Sequence, residues 1–321
     1  MGQMIDGVWR REDRALPTRD GAFQRPGTSF RGTIAPGTRH PPEAGRYHLY
    51  VSLACPWAHR ALIFRRLKGL EQMIGLSVVH WLMGDDGWTF ESGEGVVADP
   101  VIGAGFLYQL YAHADPHFTG RVTVPVLWDK VENRIVNNES AEVIRIFNTA
   151  FDGIGATQGD YYPQALRPEI DAVNERVYAT LNNGVYRAGF ARTQQAYEDA
   201  IAPLFATLDW LEERLSRQPF ACGEQLTEAD IRLFTTLIRF DAVYHYHFKC
   251  NLRRVSDYPA LWDYTRSLYQ APQIRPTVDM GHIKWHYFVS QAHINPTRVV
   301  PLGPLLDLDR PGSRSVRLPP G

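Results

Sequence analysis

Tyr47-His48-Leu49-Tyr50-Val51, Ser52-Leu53-Ala54-Cys55, Pro56-Trp57-Ala58-His59-Arg60-Ala61-Leu62-Ile63-Phe64-Arg65-Arg66-Leu67 and, a few residues on, Leu76-Ser77-Val78-Val79-His80-Trp81 decide the fold. Residues 47–51 read as a short strand. From Pro56, apolar Ala61, Leu62 and Phe64 interleave with Arg60, Arg65 and Arg66, which predicts a helix over 56–67. Residues 76–81 read as a second strand. Strand, helix and strand in this order form a βαβ unit, whose strands are parallel and whose crossover is right-handed. A sheet with helices on both faces is therefore expected.

Downstream, Val124-Pro125-Val126-Leu127-Trp128-Asp129 and Arg134-Ile135-Val136 read as two strands joined by a turn at Glu132 and Asn133. Asn138-Glu139-Ser140 then opens a helix through Phe147. Between Met83 and Gly120 a loop-rich insertion is expected. These elements make an α/β domain over 46–152. From Pro163 to about Tyr269 nearly every segment has helical period, so an all-helical domain is expected over 160–292. Its best-marked helix starts at Leu226-Thr227-Glu228-Ala229-Asp230-Ile231, where Thr227 and Asp230 form a capping box and Leu226 and Ile231 a staple. Residues 1–45, with Gly, Pro and Arg throughout, and the Pro-rich 293–321 read as irregular arms.

The chain has 321 residues, 44% hydrophobic and 21% charged, a globular mix that excludes disorder over most of its length. Thirty-four Lys and Arg against 35 Asp and Glu leave a net charge of -1. No positive field is available for a nucleic acid or an anionic membrane. No stretch approaches the ~18 consecutive apolar residues of a membrane span. Met1 to Asp20 is polar and charged, without the pattern of a secretory signal. Three cysteines are too few for a disulfide framework and suit a reducing compartment, so a cytoplasmic protein is expected.

Cys55 follows the first strand and precedes Pro56, the residue type favoured at the first helical position. Its sulfur should sit at a helix N-terminus, beside the N–H groups of Trp57 and Ala58, where thiol pKa values fall from ~8.5 to about 3.5–7.5. That makes Cys55 a candidate nucleophile. Cys222 and Cys250 lack a strand-to-helix turn and read as structural. With no second cysteine in Cys55-Pro56-Trp57-Ala58, any disulfide on Cys55 must be made with an outside thiol.

Several motifs in order extend this reading: Ser52-Leu53-Ala54-Cys55-Pro56-Trp57-Ala58-His59-Arg60, Gly87-Trp88, Val124 to Asp129, Asn138-Glu139-Ser140, Gly184-Val185-Tyr186-Arg187-Ala188-Gly189-Phe190, Phe240-Asp241-Ala242-Val243-Tyr244, His247-Phe248-Lys249-Cys250-Asn251 and Ile294-Asn295-Pro296-Thr297. Over nearly its whole length the chain resembles the glutathione transferase superfamily, and within it the glutathionyl-hydroquinone reductase branch, or Xi class. The resemblance implies a thioredoxin-like glutathione-binding domain followed by a helical glutathione transferase domain, and a homodimer. It implies that Cys55 is the nucleophile, that Pro125 is a cis proline leaving the Val124 backbone to pair with the cysteinyl part of glutathione, and that Glu139 and Ser140 hold the γ-glutamyl end. Trp88 and Arg121 would hold the rest of the tripeptide. Tyr186 would exchange a proton with the hydroquinone oxygen, with Tyr244 and Tyr287 near the sulfur. Without the resemblance, Pro125 is equally a strand-start proline, Arg121 a surface charge, Trp88 a packing aromatic and each tyrosine a core-edge residue.

The implied activity is glutathione-dependent reduction of S-glutathionyl-hydroquinones through a Cys55–glutathione mixed disulfide, with glutathione as co-substrate. A general thiol transferase or dehydroascorbate reductase of omega type is the alternative, and a non-catalytic binding protein on the same scaffold is a third. His245, His247 and Cys250 could suggest zinc, but on a helix residues two apart point to different faces and no fourth ligand is evident, so no metal is expected. Arg60, Arg65, Arg66 and Lys68 read as a solvated basic face.

Overall fold

A computed structural model describes residues 2–11, 17–316, 318 and 319. Residues 1 and 12–16 of the expected N-terminal arm, and 317, 320 and 321 of the tail, lie outside the described residues. Two compact units are present. Residues 2–11, 27–158 and 279–298 form the first, and 17–26, 159–278 and 299 onward the second.

The N-terminal arm is not wholly irregular. Strands β1 (Gln3–Ile5) and β2 (Val8–Arg10) form a hairpin in the first unit, and β3 (Thr18–Arg19) and β4 (Ala22–Phe23) form one in the second. Each turns through an Asp-Gly pair with positive φ at both residues, +47° and +72° at Asp6-Gly7 and +52° and +81° at Asp20-Gly21. This is the tight turn whose twist matches that of paired strands.

The main sheet of the first unit follows. Strands β5 (Tyr47–Val51), β6 (Ile74–Val78), β7 (Val126–Asp129) and β8 (Arg134–Asn137) lie in the order β6-β5-β7-β8. β5 and β6 are parallel and joined by helix α1 (Pro56–Leu67), while β7 runs antiparallel to β5 and β8 to β7. Helix α3 (Ser140–Thr149) leaves β8 and packs on α1. Tyr47, Leu49, Phe64, Trp128, Ile144 and Phe147 are fully buried in this unit's core.

β6 starts and ends earlier than the 76–81 expectation. Gly75 hides its start: the residue breaks the apolar pattern, yet a side chain there would come within 2.3 Å of the His48 imidazole. Its end is set by the His80 N–H, which turns to the carbonyl of Thr89 at 2.8 Å. The insertion between Met83 and Gly120 contains a helix, α2 (Leu107–Ala114), whose start is fixed by the Gln109 side chain accepting from the N–H groups of Gly105 and Phe106.

The basic face of α1 is a correction: Arg60, Arg65 and Lys68 are buried. Arg65 donates to the carbonyls of Ile74 and Glu71, Lys68 meets Asp152 at 2.9 Å, and Arg60 donates to Ser140 Oγ. Their polar ends find acceptors on neighbouring elements, which makes such burial tolerable.

The second unit is helical apart from its hairpin. Helix α4 (Arg167–Val177) passes through a π-helical turn (Tyr178–Asn182) into α5 (Gly184–Gly189). Helix α6 (Gln194–Leu215) follows, then α7 (Glu228–Arg239), which continues through a second π-helical turn (Phe240–Tyr244) into the short α8 (His245–His247), and then α9 (Pro259–Gln270). At the start of α7 the buried Asp230 carboxylate accepts from the Thr227 and Ala221 N–H groups at 2.8 and 2.7 Å and from the Tyr264 hydroxyl at 2.8 Å.

Residues 279–292, expected in the helical domain, and 293–298, expected in the tail, cluster instead with the first unit. Helix α10 (Met280–Trp285) and a third π-helical turn (His286–Ser290) are bonded to its loops. His282 Nε2 lies 2.7 Å from the Glu94 carbonyl, His286 Nδ1 2.9 Å from that of Trp81, and the Met83 N–H donates to Ser290 Oγ. Beyond Ser290 the described residues form no regular helix or strand. Within the second unit this tail is anchored by Arg314, whose guanidinium meets Asp263 and the carbonyls of Leu215, Gln218, Pro219 and Ala260. Among the described residues no helix is long and apolar enough to cross a membrane.

Candidate active site

Cys55 occupies the N-cap of α1 with extended backbone (φ −78°, ψ 120°), and Pro56 takes the first helical position. The turn from β5 is closed by the Cys55 N–H donating to the Ser52 carbonyl and the Ala54 N–H donating to Ser52 Oγ. This places the half-buried Cys55 at the N-terminus, the positive end, of α1. Its thiol donates to the Val124 carbonyl at 3.7 Å. Antiparallel pairing of β7 with β5 brings Val124 there, and the Val124–Pro125 peptide bond is cis. Cys222 and Cys250 differ: burial pushes the Cys222 thiol up to about 12 and raises that of Cys250, so neither supplies a thiolate at neutral pH.

At the end of β8, Glu139 is the N-cap of α3, with Oε1 accepting from the Ala141 N–H at 3.1 Å and Oε2 from the Thr28 hydroxyl at 3.2 Å. Ser140, the first residue of α3, is buried. The turn is stiffened by Asn137, whose side chain accepts from the Glu139 N–H, and by Asn138, which donates to Tyr111. Helix N-terminus, acidic cap and hydroxyl together suit a group carrying both a carboxylate and an ammonium.

Trp88 is buried and stacked on His286, with ring centroids 4.8 Å apart and planes 25° from parallel. Tyr287, next in the third π-helical turn, is also buried. Arg121 is half-buried in the loop ahead of Val124. The first unit thus contains Cys55, Trp88, Arg121, Val124, Pro125, Glu139, Ser140 and Tyr287.

Tyr186 and Tyr244 belong to the second unit, with ring centroids 6.1 Å apart and Phe248 packed against both. Tyr244 ends the second π-helical turn, and Tyr186 lies one turn into the helix that the first one feeds. Irregular helical turns of this kind are frequent at functional sites. The Arg25 guanidinium lies 4.7 Å from the centre of the Tyr186 ring and donates to Asn183 at 2.7 Å. Arg25, Arg60 and His286 escape a reading by pattern. Arg25 sits in a segment read as an arm, Arg60 in a helix read as solvated, and His286 gains its partner only through long-range packing. Among the described residues no group of three His, Cys, Asp or Glu side chains is arranged to hold a metal.

The family described as "Glutathione S-transferase, N-terminal domain" matches residues 54–150, and "Glutathione S-transferase, C-terminal domain" matches 194–267. Thioredoxin-like sheet and helical unit define a glutathione transferase. The chain is 58% identical to glutathionyl-hydroquinone reductase PcpF of Sphingobium chlorophenolicum, over 95% of this chain and 96% of that protein. It is 54% identical to glutathionyl-hydroquinone reductase YqjG of Escherichia coli, over 99% of both. The glutathione-bound structure of YqjG superposes with a TM-score of 0.88, covering 98% of this chain and 99% of the other at 55% identity. Glutathione-S-transferase Xi from Phanerochaete chrysosporium superposes with a TM-score of 0.88 at 53% identity, covering 90% and 94%. The chain belongs to the glutathionyl-hydroquinone reductase family, the Xi class of glutathione transferases.

Proposed function

We propose that this protein reduces S-glutathionyl-hydroquinones to hydroquinones with glutathione as the reductant. The observation that carries this reading is Cys55 at the N-cap of α1, half-buried and beside Val124, in a chain 58% identical to a glutathionyl-hydroquinone reductase. The Cys55 thiolate attacks the sulfur of the aryl thioether. A sulfur–sulfur bond forms, the carbon–sulfur bond breaks, and the aryl carbon takes a proton and leaves as the hydroquinone. The carbon is reduced and the two sulfurs are oxidised. A second glutathione, as thiolate, attacks the mixed disulfide, releasing oxidised glutathione and regenerating Cys55.

Supporting roles follow residue by residue. Glu139 and Ser140 hold the γ-glutamyl group, supported by the acidic cap and N-terminus of α3. The Val124 backbone, ahead of Pro125, pairs with the cysteinyl part, supported by the contact with Cys55. Trp88 and Arg121 hold the remainder. Tyr186 exchanges a proton with the hydroquinone oxygen, which a phenol can do without carrying charge, and Tyr244 and Tyr287 line the substrate pocket. A homodimer in the cytoplasm completes the proposal. The reaction consumes reduced glutathione and the three cysteines are thiols, both suited to a reducing compartment.

The test incubates the protein with a glutathionyl-hydroquinone and excess glutathione and follows hydroquinone and oxidised glutathione together by chromatography. Equal appearance of both, abolished in Cys55→Ala while glutathione binding persists, is expected. Tyr186→Phe should slow turnover about 10²-fold or more. Full activity in Cys55→Ala removes the mechanism, and activity confined to small mixed disulfides moves the reading to a general thiol transferase. Light scattering at micromolar concentration tests the dimer.

A further inference from the structure

Arg60 is a cation with 2% of its surface exposed, on the helix that Cys55 caps. Its guanidinium carbon lies 4.5 Å from the centre of the Trp57 ring one turn earlier, and Nη1 donates to Ser140 Oγ at 3.4 Å. That contact joins the helix that Cys55 caps to the hydroxyl of the first residue of α3. We infer that Arg60 is a positioning residue for glutathione, which turns the Ser140 hydroxyl toward the α-carboxylate of the γ-glutamyl group and ties that subsite to the cysteine.

A serine hydroxyl has one hydrogen and two lone pairs. When Arg60 donates into a lone pair, the hydrogen is left to donate elsewhere, and the direction left to it is away from α1. The N-terminus of α3 carries a partial positive charge from its own backbone, and the guanidinium adds to it. Cation and helix end together favour an anion beside Ser140, at low dielectric, where such attraction is strong. The cation–π contact with Trp57 also holds the guanidinium. Because α1 carries both Cys55 and Arg60, the same contact sets the spacing between the sulfur and the γ-glutamyl subsite. Glutathione spans those two points.

This inference rests on the glutathione site proposed above. It is tested by calorimetric binding, which needs no hydroquinone turnover, on the wild type, Ser140→Ala, Arg60→Met, Arg60→Lys and the two double variants with Ser140→Ala. The probes are glutathione and γ-aminobutyryl-cysteinyl-glycine, which lacks the α-carboxylate. Arg60→Met and Ser140→Ala should each weaken glutathione about ten-fold, as expected for a lost hydrogen bond to a charged group. Their combination should weaken it by little more, well short of the ~100-fold of independent effects. The analogue should bind the wild type and the variants within about two-fold, because its missing carboxylate is what Arg60 serves. If Arg60→Met fails to fold, Arg60→Lys carries the same cycle, retaining charge but losing the planar fork. Multiplicative losses, or equal weakening of the analogue, overturn the inference. Arg60-dependent glutathione binding without reductase activity refutes the proposed reaction and leaves Arg60 in place, whereas a wild type that binds no glutathione refutes both.

Discussion

Replacing Arg314 by Met should strip the C-terminal tail from the helical unit and lower its melting temperature. Five acceptors converge on this guanidinium: Asp263 Oδ2 at 3.1 Å and the carbonyls of Leu215, Gln218, Pro219 and Ala260 at 2.8, 2.9, 2.9 and 3.2 Å. Its side chain is only 11% exposed. Methionine keeps most of the aliphatic stem and loses every donor. Hydrogen bonds to a charged group contribute about 1.5 to 3 kcal/mol each but do not add fully, so a loss of about 3 to 5 kcal/mol, as for one half of a buried ion pair, is expected. At about 2 cal/mol/K of unfolding entropy per residue, that lowers Tm by about 5 to 15 °C, depending on whether the chain unfolds whole or by units. Burial acts to raise the Asp263 carboxyl pKa, but bonds from Ser313 and the nearby Arg314 charge hold it below its usual value. A depressed carboxylate stabilises the fold above its unfolded pKa, and that contribution fades as pH falls through the folded value. The difference between wild type and Arg314→Met should therefore be full at pH 7 and narrow below about pH 4. Differential scanning calorimetry across that range is the assay. A Tm within about 2 °C of wild type at pH 7 would refute the latch, because even one lost charged hydrogen bond should exceed it.

Burial holds the His48 imidazole down at about 4, in contact with Ser77 Oγ at 2.8 Å. The unfolded chain then takes up the proton first on acidification, so wild type should lose about 3 kcal/mol between pH 6.5 and 4 relative to His48→Gln, measured by urea unfolding; parallel pH curves would contradict this. Asp230→Ala should cost about 3 to 5 kcal/mol, since it leaves the buried Ala221 and Thr227 N–H groups without their acceptor, and Asp230→Asn should cost less; equal denaturation midpoints for the two variants would show that the acceptor oxygen is irrelevant. Gly189→Ala would set a methyl 2.3 Å from the Phe248 ring, which stacks on Tyr244, so a stability loss of about 1 to 3 kcal/mol and a fall in kcat larger than any rise in KM are expected from steady-state kinetics. Glu139→Gln retains a cap acceptor but not the charge for an ammonium, so glutathione Kd should rise about ten-fold at unchanged Tm.

What was legible in the sequence was local. β5 and α1 follow from a strand pattern ending at a cysteine and a proline at the first helical position, and both span the residues that pattern marks out. The capping box at Thr227 is equally self-contained. The hairpins of the arm went unread: Asp6-Gly7 and Asp20-Gly21 carry a short hairpin signal, but the surrounding Gly, Pro and Arg mask it. Burial was not legible. Arg60, Arg65 and Lys68 follow the spacing of a solvated face, and only the acceptors supplied by α3, β6 and Asp152 reverse that. Nor does period show which unit a helix joins: α10 has the pattern of its predecessors, and its place is set by His282, His286 and Ser290 meeting loops some two hundred residues earlier. At the site, Cys55 follows from position alone, whereas Glu139, Trp88 and the tyrosines needed the ordered motifs of a family.

The return of residues 279–298 to the first unit bears on modularity. Because both units are assembled from separated stretches of chain, neither can be cut out, transplanted or recombined as one uninterrupted cassette. A fragment ending near residue 158 would keep the sheet and Cys55 but lack the segment that stacks on Trp88 and bonds to Trp81, Met83 and Glu94. A crossover in the linker between the units would strand that segment on the wrong parent. A chimera joined at a single point between residues 158 and 279 would therefore carry a first unit of mixed parentage, because 279–298 would come from a different parent than 27–158.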